Sequence, residues 1–190
     1  MKTKTTLLFL TLILCACSAG ISTPQILPAQ SPTDTPLPPT ITFTPDISST
    51  ECGYQWAYQD LPDLTAQFDE TVQTLIPNST SHATAFGENC VAADGQVVRF
   101  AAMETDFYVL ATVESLDDYE TFGNWIYDVM QVVNGFPPDM IAGPQPGFVE
   151  FRFQKSISES IGFRVPIRQY NDTAQGISGE ELFRLFYTNP

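Results

Sequence analysis

Between Leu61 and Ile76 apolar residues recur at helical spacing. Leu64, Phe68, Val72 and Leu75 fall on one face, Pro62 suits the first turn, Asp60 stands where a cap is needed, and Asp63 favours the positive end. Pro77-Asn78 stops the pattern. From His82 to Val91 and from Val97 to Val113 the period changes to that of strands, with Ala93-Asp94-Gly95 as the turn between them. The second run is long enough for one bent strand or for a tight pair broken near Glu104-Thr105-Asp106. Helical spacing returns after Ser115, which with Asp118 resembles a capping box, and runs through Tyr119, Phe122, Ile126, Val129 and Val133. Trp125, Met130 and Val132 widen that apolar face. Gly135, Pro137 and Pro138 end the helix, and a loop through Gly143-Pro144-Gln145-Pro146-Gly147 leads into alternating Val149, Phe151 and Phe153. Phe163, Val165 and Ile167 repeat the alternation, and Pro166, which lacks a donor, predicts an edge strand. Gly179 to Tyr187 predicts a short terminal helix.

The order is therefore helix, two strands, helix, two strands, helix. It predicts an α+β domain, an antiparallel sheet of about four strands with helices packed on one face, over residues 51–190. A weaker alternative makes the two helix-strand-strand units internally related halves. About 140 residues holding most of the 14 Phe and both Trp suffice for one domain with a core.

The first 50 residues follow another pattern. Behind Met1-Lys2-Thr3-Lys4 stands the apolar run Leu7 to Cys17, LLFLTLILCAC, too short to span a bilayer as a helix and built like an export signal. With Leu14, Ala16 and Cys17 it resembles the lipobox of bacterial lipoproteins, in which an aliphatic residue stands three places before a cysteine that becomes the acylated first residue. The resemblance covers those residues alone. It implies a signal peptide over residues 1–16, lipidation of Cys17, and an extracytoplasmic protein anchored to the membrane by lipid. Two acyl chains or more hold a protein at a membrane, where one does so marginally. Cys15 is a second cysteine at the cut, and cleavage at Ala19 or Gly20 as a soluble secreted protein is the alternative.

Residues 17–50 then read as the acylated cysteine and a stalk. From Ile21 to Thr50, seven Pro, seven Thr and four Ser leave Asp34 and Asp46 as the only charges, and such a composition favours extended polyproline II over packing. Leu37-Pro38-Pro39 is a weak candidate for an aromatic groove, and the Thr residues permit glycosylation. Formal charge is −14 for the chain, which disfavours nucleic acid and anionic lipid as broad-surface partners. After the leader and Cys17, only Cys52 and Cys90 remain, and in an oxidising compartment that pair predicts a disulfide.

Chemistry is sparse. His82 is the single histidine, so a three-histidine metal site and HExxH are excluded, and any triad would depend on it. No GxSxG elbow exists, Gly176-Ile177-Ser178-Gly179 reads as a turn with Ser178 near a helix cap, and the prolines of the Gly143 to Gly147 loop remove the donors of a phosphate cradle. No cofactor is implied. Glu104 and Asp106 alternate onto one strand face, where two carboxylates can share a proton or ligate calcium, and Glu88 on the neighbouring strand is placed to join them. A solvated face is the plainer reading of all three. Arg152, Arg164 and Arg168 occupy the non-apolar phase of their strands and suggest a patch for an anionic ligand, against cross-strand pairing with Glu150. The expectation is a lipid-anchored envelope binding or structural module, with an envelope protein or glycan as partner. The alternative is a carboxylate-dependent envelope hydrolase using Glu104 and Asp106. A cleft joining those residues to His82 or Glu88 favours the enzyme; a continuous exposed aromatic or arginine face favours binding.

Overall fold

The computed structural model describes residues 52–188, all of them in one compact unit. The leader, Cys17 and the Pro/Thr-rich stalk lie outside the described residues. Five strands, β1 (Gly53–Asp60), β2 (Ser79–Val91), β3 (Val97–Thr112), β4 (Gln145–Ser156) and β5 (Glu159–Pro166), form one sheet in chain order. Helix α1 (Pro62–Leu75) follows β1, α2 (Tyr119–Gly135) joins β3 to β4, and α3 (Ile167–Thr173) and α4 (Gly179–Phe186) close the chain. A single 3₁₀ turn, Pro138–Met140, follows α2.

The α+β class and the helices on one sheet face are as the hydrophobic pattern predicts. The sheet itself differs in two ways. It gains β1, and β3 pairs with β4 in parallel while all other pairs are antiparallel. The parallel pair follows from α2: a 17-residue helix spans about 25 Å, enough to carry the chain back across the sheet before β4 begins. It also excludes the two related halves. Superposing α1-β2-β3 on α2-β4-β5 would require inverting the strands, which would send α2 to the opposite face from α1. Val97 to Thr112 is one strand, with an extra residue, Met103, set between the Phe86–Glu104 and Gly87–Ala102 pairs.

The buried face of the sheet reads across the strands as Ala83, Phe107, Val149 and Val165, then as Val109, Phe151 and Phe163. Against it lie Phe68 and Val72 of α1 and Phe122, Ile126, Val129 and Met130 of α2, each at most 1% exposed. Phe122 stacks on Phe153 at 4.2 Å between centroids, and Phe68 meets Phe107 edge-on at 4.9 Å. Tyr170 of α3 is fully buried, and its hydroxyl accepts from Gln131 Nε2 at 2.9 Å.

Helix α1 also replaces a strand. Pairing of β1 with β2 ends at Asp60–Thr84, which leaves the edge of β2 bare from Ala83 towards Ser79. The α1 side chains cover it: Ala83 N donates to Thr65 Oγ1 at 2.9 Å, Thr65 Oγ1 donates to the Ala83 carbonyl at 3.2 Å, and Ser81 N donates to Asp69 at 2.6 Å. Asp60 is the last residue of β1 and does not cap the helix, whose N-cap position is Leu61; Pro62 at the first position removes one donor that a cap would have served.

Two other caps differ from expectation. Asp118, not Ser115, caps α2, accepting from Thr121 N at 3.2 Å, while Ser115 Oγ accepts from Asp117 N ahead of the helix. Ser178 occupies the N-cap position of α4 but makes no side-chain cap bond. Glu120, reaching over from α2, accepts from Glu180 N at 2.9 Å instead. That reach is open because Gly123 and Gly179 bring the two helices into backbone contact; a Cβ on Gly123 would collide with the Gly179 carbonyl.

Cys52 and Cys90 form the predicted disulfide, with Cα atoms 5.0 Å apart. It ties the chain entering β1 to the far end of β2, and among the described residues β1 has no other strand neighbour. Closing 38 residues is worth about 4 kcal/mol in the chain-entropy model. We expect C52A/C90A to lower the unfolding free energy by about 4 kcal/mol in urea and to raise amide exchange in β1 before the rest of the sheet. A loss below about 1 kcal/mol would show that the β1–β2 ladder holds the strand without the bond.

Candidate binding face

The helices leave one face of the sheet uncovered among the described residues. Strand alternation puts on it His82, Thr84, Phe86 and Glu88 of β2, Glu104, Asp106, Tyr108 and Leu110 of β3, and Phe148, Glu150 and Arg152 of β4. Arg164 of β5 stands opposite Glu150, and Tyr58 and Trp56 of β1 stand opposite Phe86 and Glu88.

At the β1 edge the face is aromatic. Tyr54, Trp56 and Tyr58 occur at every second position and so point the same way, at 61%, 64% and 62% exposure. Phe86 anchors them from β2, stacked with Trp56 at 5.3 Å and tilted against Tyr58 at 5.1 Å. These rings stand in water on the outermost strand, where folding alone rewards them little.

At the centre the face is acidic and partly dry. Asp106 is 1% exposed, and its carboxylate accepts from Phe148 N at 3.3 Å. The contact depends on Gly147, whose Cα sits against the Asp106 carboxylate at a point where β4 carries two residues, Gly147 and Phe148, opposite one of β3. Burial, and then the charge of Glu104, push the Asp106 carboxyl up to about 6, against the lowering effects of the Phe148 amide and Arg164. Burial, and then Asp106, raise the Tyr108 phenol as well. The Thr84 hydroxyl, on the strand position paired with Asp106, is buried and has no hydrogen bond of good geometry.

The rim is ion-paired. Arg164 Nε donates to Glu150 at 3.0 Å and its guanidinium lies 4.1 Å over the Phe148 ring, while Arg152 stands 4.0 Å from the other oxygen of Glu150. His82 stacks on Tyr108, 4.6 Å apart and 7° from parallel. Together with Thr80, Leu110, Glu150 and Arg152 they line a shallow cavity of about 280 Å³.

Glu104 and Asp106 thus share a face, as alternation predicts, and His82 stands one row from Asp106 and two from Glu104. Glu88 stands beyond Phe86, beside Trp56, and does not complete a carboxylate cluster with Asp106. Among the described residues, no three His, Cys, Asp or Glu side chains stand together as a metal site, so the calcium reading of Glu104 and Asp106 gains no ligand set. Arg168 is not on a strand: it belongs to α3, because the chain leaves the sheet after Pro166. Arg164 pairs with Glu150 across strands, and Arg152 stands 4.0 Å from Glu150 on their own strand, so the three arginines do not gather into one anionic-ligand patch.

Strand β1 carries the exposed aromatic row, which the hydrophobic pattern missed. Its sequence, Gly-Tyr-Gln-Trp-Ala-Tyr-Gln-Asp, alternates aromatic with small or polar residues at period two, which is a strand signature. A larger cavity, about 340 Å³, lies on the other side of the sheet, where Phe107, Val133, Phe136, Ile141 and Ile167 meet the Gly143 to Gly147 loop. Its two asparagines, Asn134 and Asn171, bond reciprocally at 2.8 and 3.1 Å, so each spends a donor and an acceptor on the other.

The Asp106 shift has a stability consequence with a definite sign. A carboxyl whose folded pKa lies above its unfolded value binds more protons when folded, so the contribution of Asp106 to stability is fully present below about pH 4 and is lost as pH rises through about 6. We expect Asp106→Asn, which keeps an acceptor for Phe148 N, to flatten that fall and to stabilise the protein at pH 7.5 by about 1–2 kcal/mol. Urea midpoints of both proteins at pH 4, 5, 6 and 7.5 check it, and an unchanged slope would contradict the assignment. Comparison with family models, with curated proteins and with solved structures returns no match.

Proposed function

We propose that this chain is a lipid-anchored envelope binding module that engages its partner on the uncovered sheet face. The observation that carries the reading is the exposure of Tyr54, Trp56 and Tyr58 side by side on that face. Exposed aromatic surface costs solubility, and its usual compensation is a partner. The supporting sequence features are the lipobox-like Leu14, Ala16 and Cys17 and the Pro/Thr-rich segment from Ile21 to Thr50, which would set the face at a distance from the membrane. No helix among the described residues is long and apolar enough to cross a membrane.

The hydrolase alternative has one observation in its favour, the carboxyl of Asp106 poised near pH 6 beside Glu104. Against it, Asp106 is closed off from solvent and bonded to Phe148 N, and general acid catalysis needs the acid within hydrogen-bond reach of substrate.

Two measurements test the proposal. Labelling of the expressed full chain with radioactive palmitate should be strong, and Cys17→Ser should abolish it while Cys15→Ser leaves it intact; labelling that survives Cys17→Ser removes the anchor. The detergent-solubilised protein should co-sediment with delipidated envelope of the source cell, and Trp56→Ala should cut the bound fraction at least tenfold. Equal sedimentation of the two would remove the aromatic face from the binding site.

A further inference from the structure

We infer that the occupant of the β1 end of this face is an uncharged glycan chain, stacked on the row Tyr54, Trp56 and Tyr58. This names the partner class for the binding reading above and rests on it.

Three properties of the row point to a sugar. The first is its form. Rings at alternate positions of one strand repeat every two residues, so the row runs about 14 Å from Tyr54 to Tyr58, the extent of a short oligosaccharide lying along the strand. A pyranose offers a flat patch of C–H groups on its ring face, and an aromatic face is the complement of that patch. Trp56 and Tyr58 are braced from one side by Phe86 and remain more than 60% exposed, so little ordering is left for a ligand to impose.

The second property is what stands beside the rings. Register places Glu88 next to Trp56, Arg99 across β2 from Tyr54, and Glu104 beyond Phe86 from Tyr58. Glu88 is therefore the acceptor on the neighbouring strand, and Glu104 and Arg99 stand one strand further in, on the Phe86 side of the rings.

The third is charge. Glu88, Glu104 and Asp60 outnumber Arg99 around the row, and the whole chain carries −14. That field repels uronate or sialylated chains and leaves uncharged ones unaffected.

The two tryptophans give the test its readout. Trp56 lies in the row and Trp125 lies in α2, packed near Phe122 and Phe153, so a ligand on the row changes the emission of Trp56 alone. The detergent-solubilised full-length protein is titrated with cellohexaose, chitohexaose and mannohexaose, and with an alginate hexamer as the acidic comparison. Expected is a saturable change in tryptophan emission, matched by calorimetry, with at least one uncharged hexamer. Trp56→Ala should weaken that binding at least tenfold, Tyr54→Ala and Tyr58→Ala should each weaken it several-fold, and alginate should not bind. An unchanged thermal midpoint in the three variants shows that each still folds.

Failure of all three uncharged hexamers, or tighter binding of alginate, overturns the glycan inference. If Trp56→Ala nevertheless loses envelope sedimentation, the open-face reading stands with a protein as partner. If Trp56→Ala loses neither, both fall.

Discussion

Every helix of the described domain packs on one side of the sheet, and the organisation of the molecule follows from that asymmetry. A five-stranded sheet has two faces, and Phe107 and Val109 of β3 with Val149, Phe151 and Phe153 of β4 are committed to the side on which Phe122 stacks against Phe153. The opposite side must then be solvated, or hold something else. Most single-faced sheets meet the first condition with polar residues at alternate positions. Here the alternate positions are polar at the β5 side, where Glu150 joins Arg152 and Arg164, and aromatic at the β1 side. The change of character occurs within one face, so it does not follow from the needs of the core.

The edges show how differently the two ends are treated. Beyond Thr84 the bare edge of β2 is closed by Thr65 and Asp69 of α1, a polar solution to unpaired backbone groups. Strand β1, in contrast, has no strand on its outer edge among the described residues, its rings are exposed, and a disulfide fastens its start to β2. A strand held by one neighbour loses its place easily, so a cross-link is most useful there. The bond secures the least buried element of the sheet rather than the core.

Legibility of this fold in the sequence varied with how much each signal depended on local pattern. Helices α1 and α2 and the edge character of β5 were readable because 3.6-residue spacing, alternation and Pro166 act locally. The cysteine pair was readable from count and compartment. Strand β1 was not, because its residues alternate aromatic with polar without burying either set, and an exposed strand looks like a linker when burial is the criterion sought. The parallel β3–β4 pair is a matter of where α2 returns the chain, which no strand sequence records. In the site, alternation brought Glu104 and Asp106 to one face, but the burial of Asp106 depends on Gly147 and Phe148, some forty residues away. Arg168 was misplaced because alternation through Val165 and Ile167 continued past Pro166, where the backbone had already turned into α3.

The centre of the face and its aromatic end carry different costs. Asp106, buried and with a raised carboxyl, is held at the expense of stability above about pH 6, and its neighbours Tyr108, Thr84 and Phe148 pack around it. Changes there alter fold and face together. The β1 rings are more than half exposed, and Trp56 and Tyr58 pack on Phe86, so truncating one removes little buried surface. Sites that share no partners also add nearly independently. A loss of binding caused by a β1 ring therefore reports on the ligand, while the same loss caused by Tyr108 or Phe148 would mix ligand contact with the integrity of the sheet. The β1 row is thus the part of the face where the proposed binding can be tested apart from folding, because the fold asks so little of it.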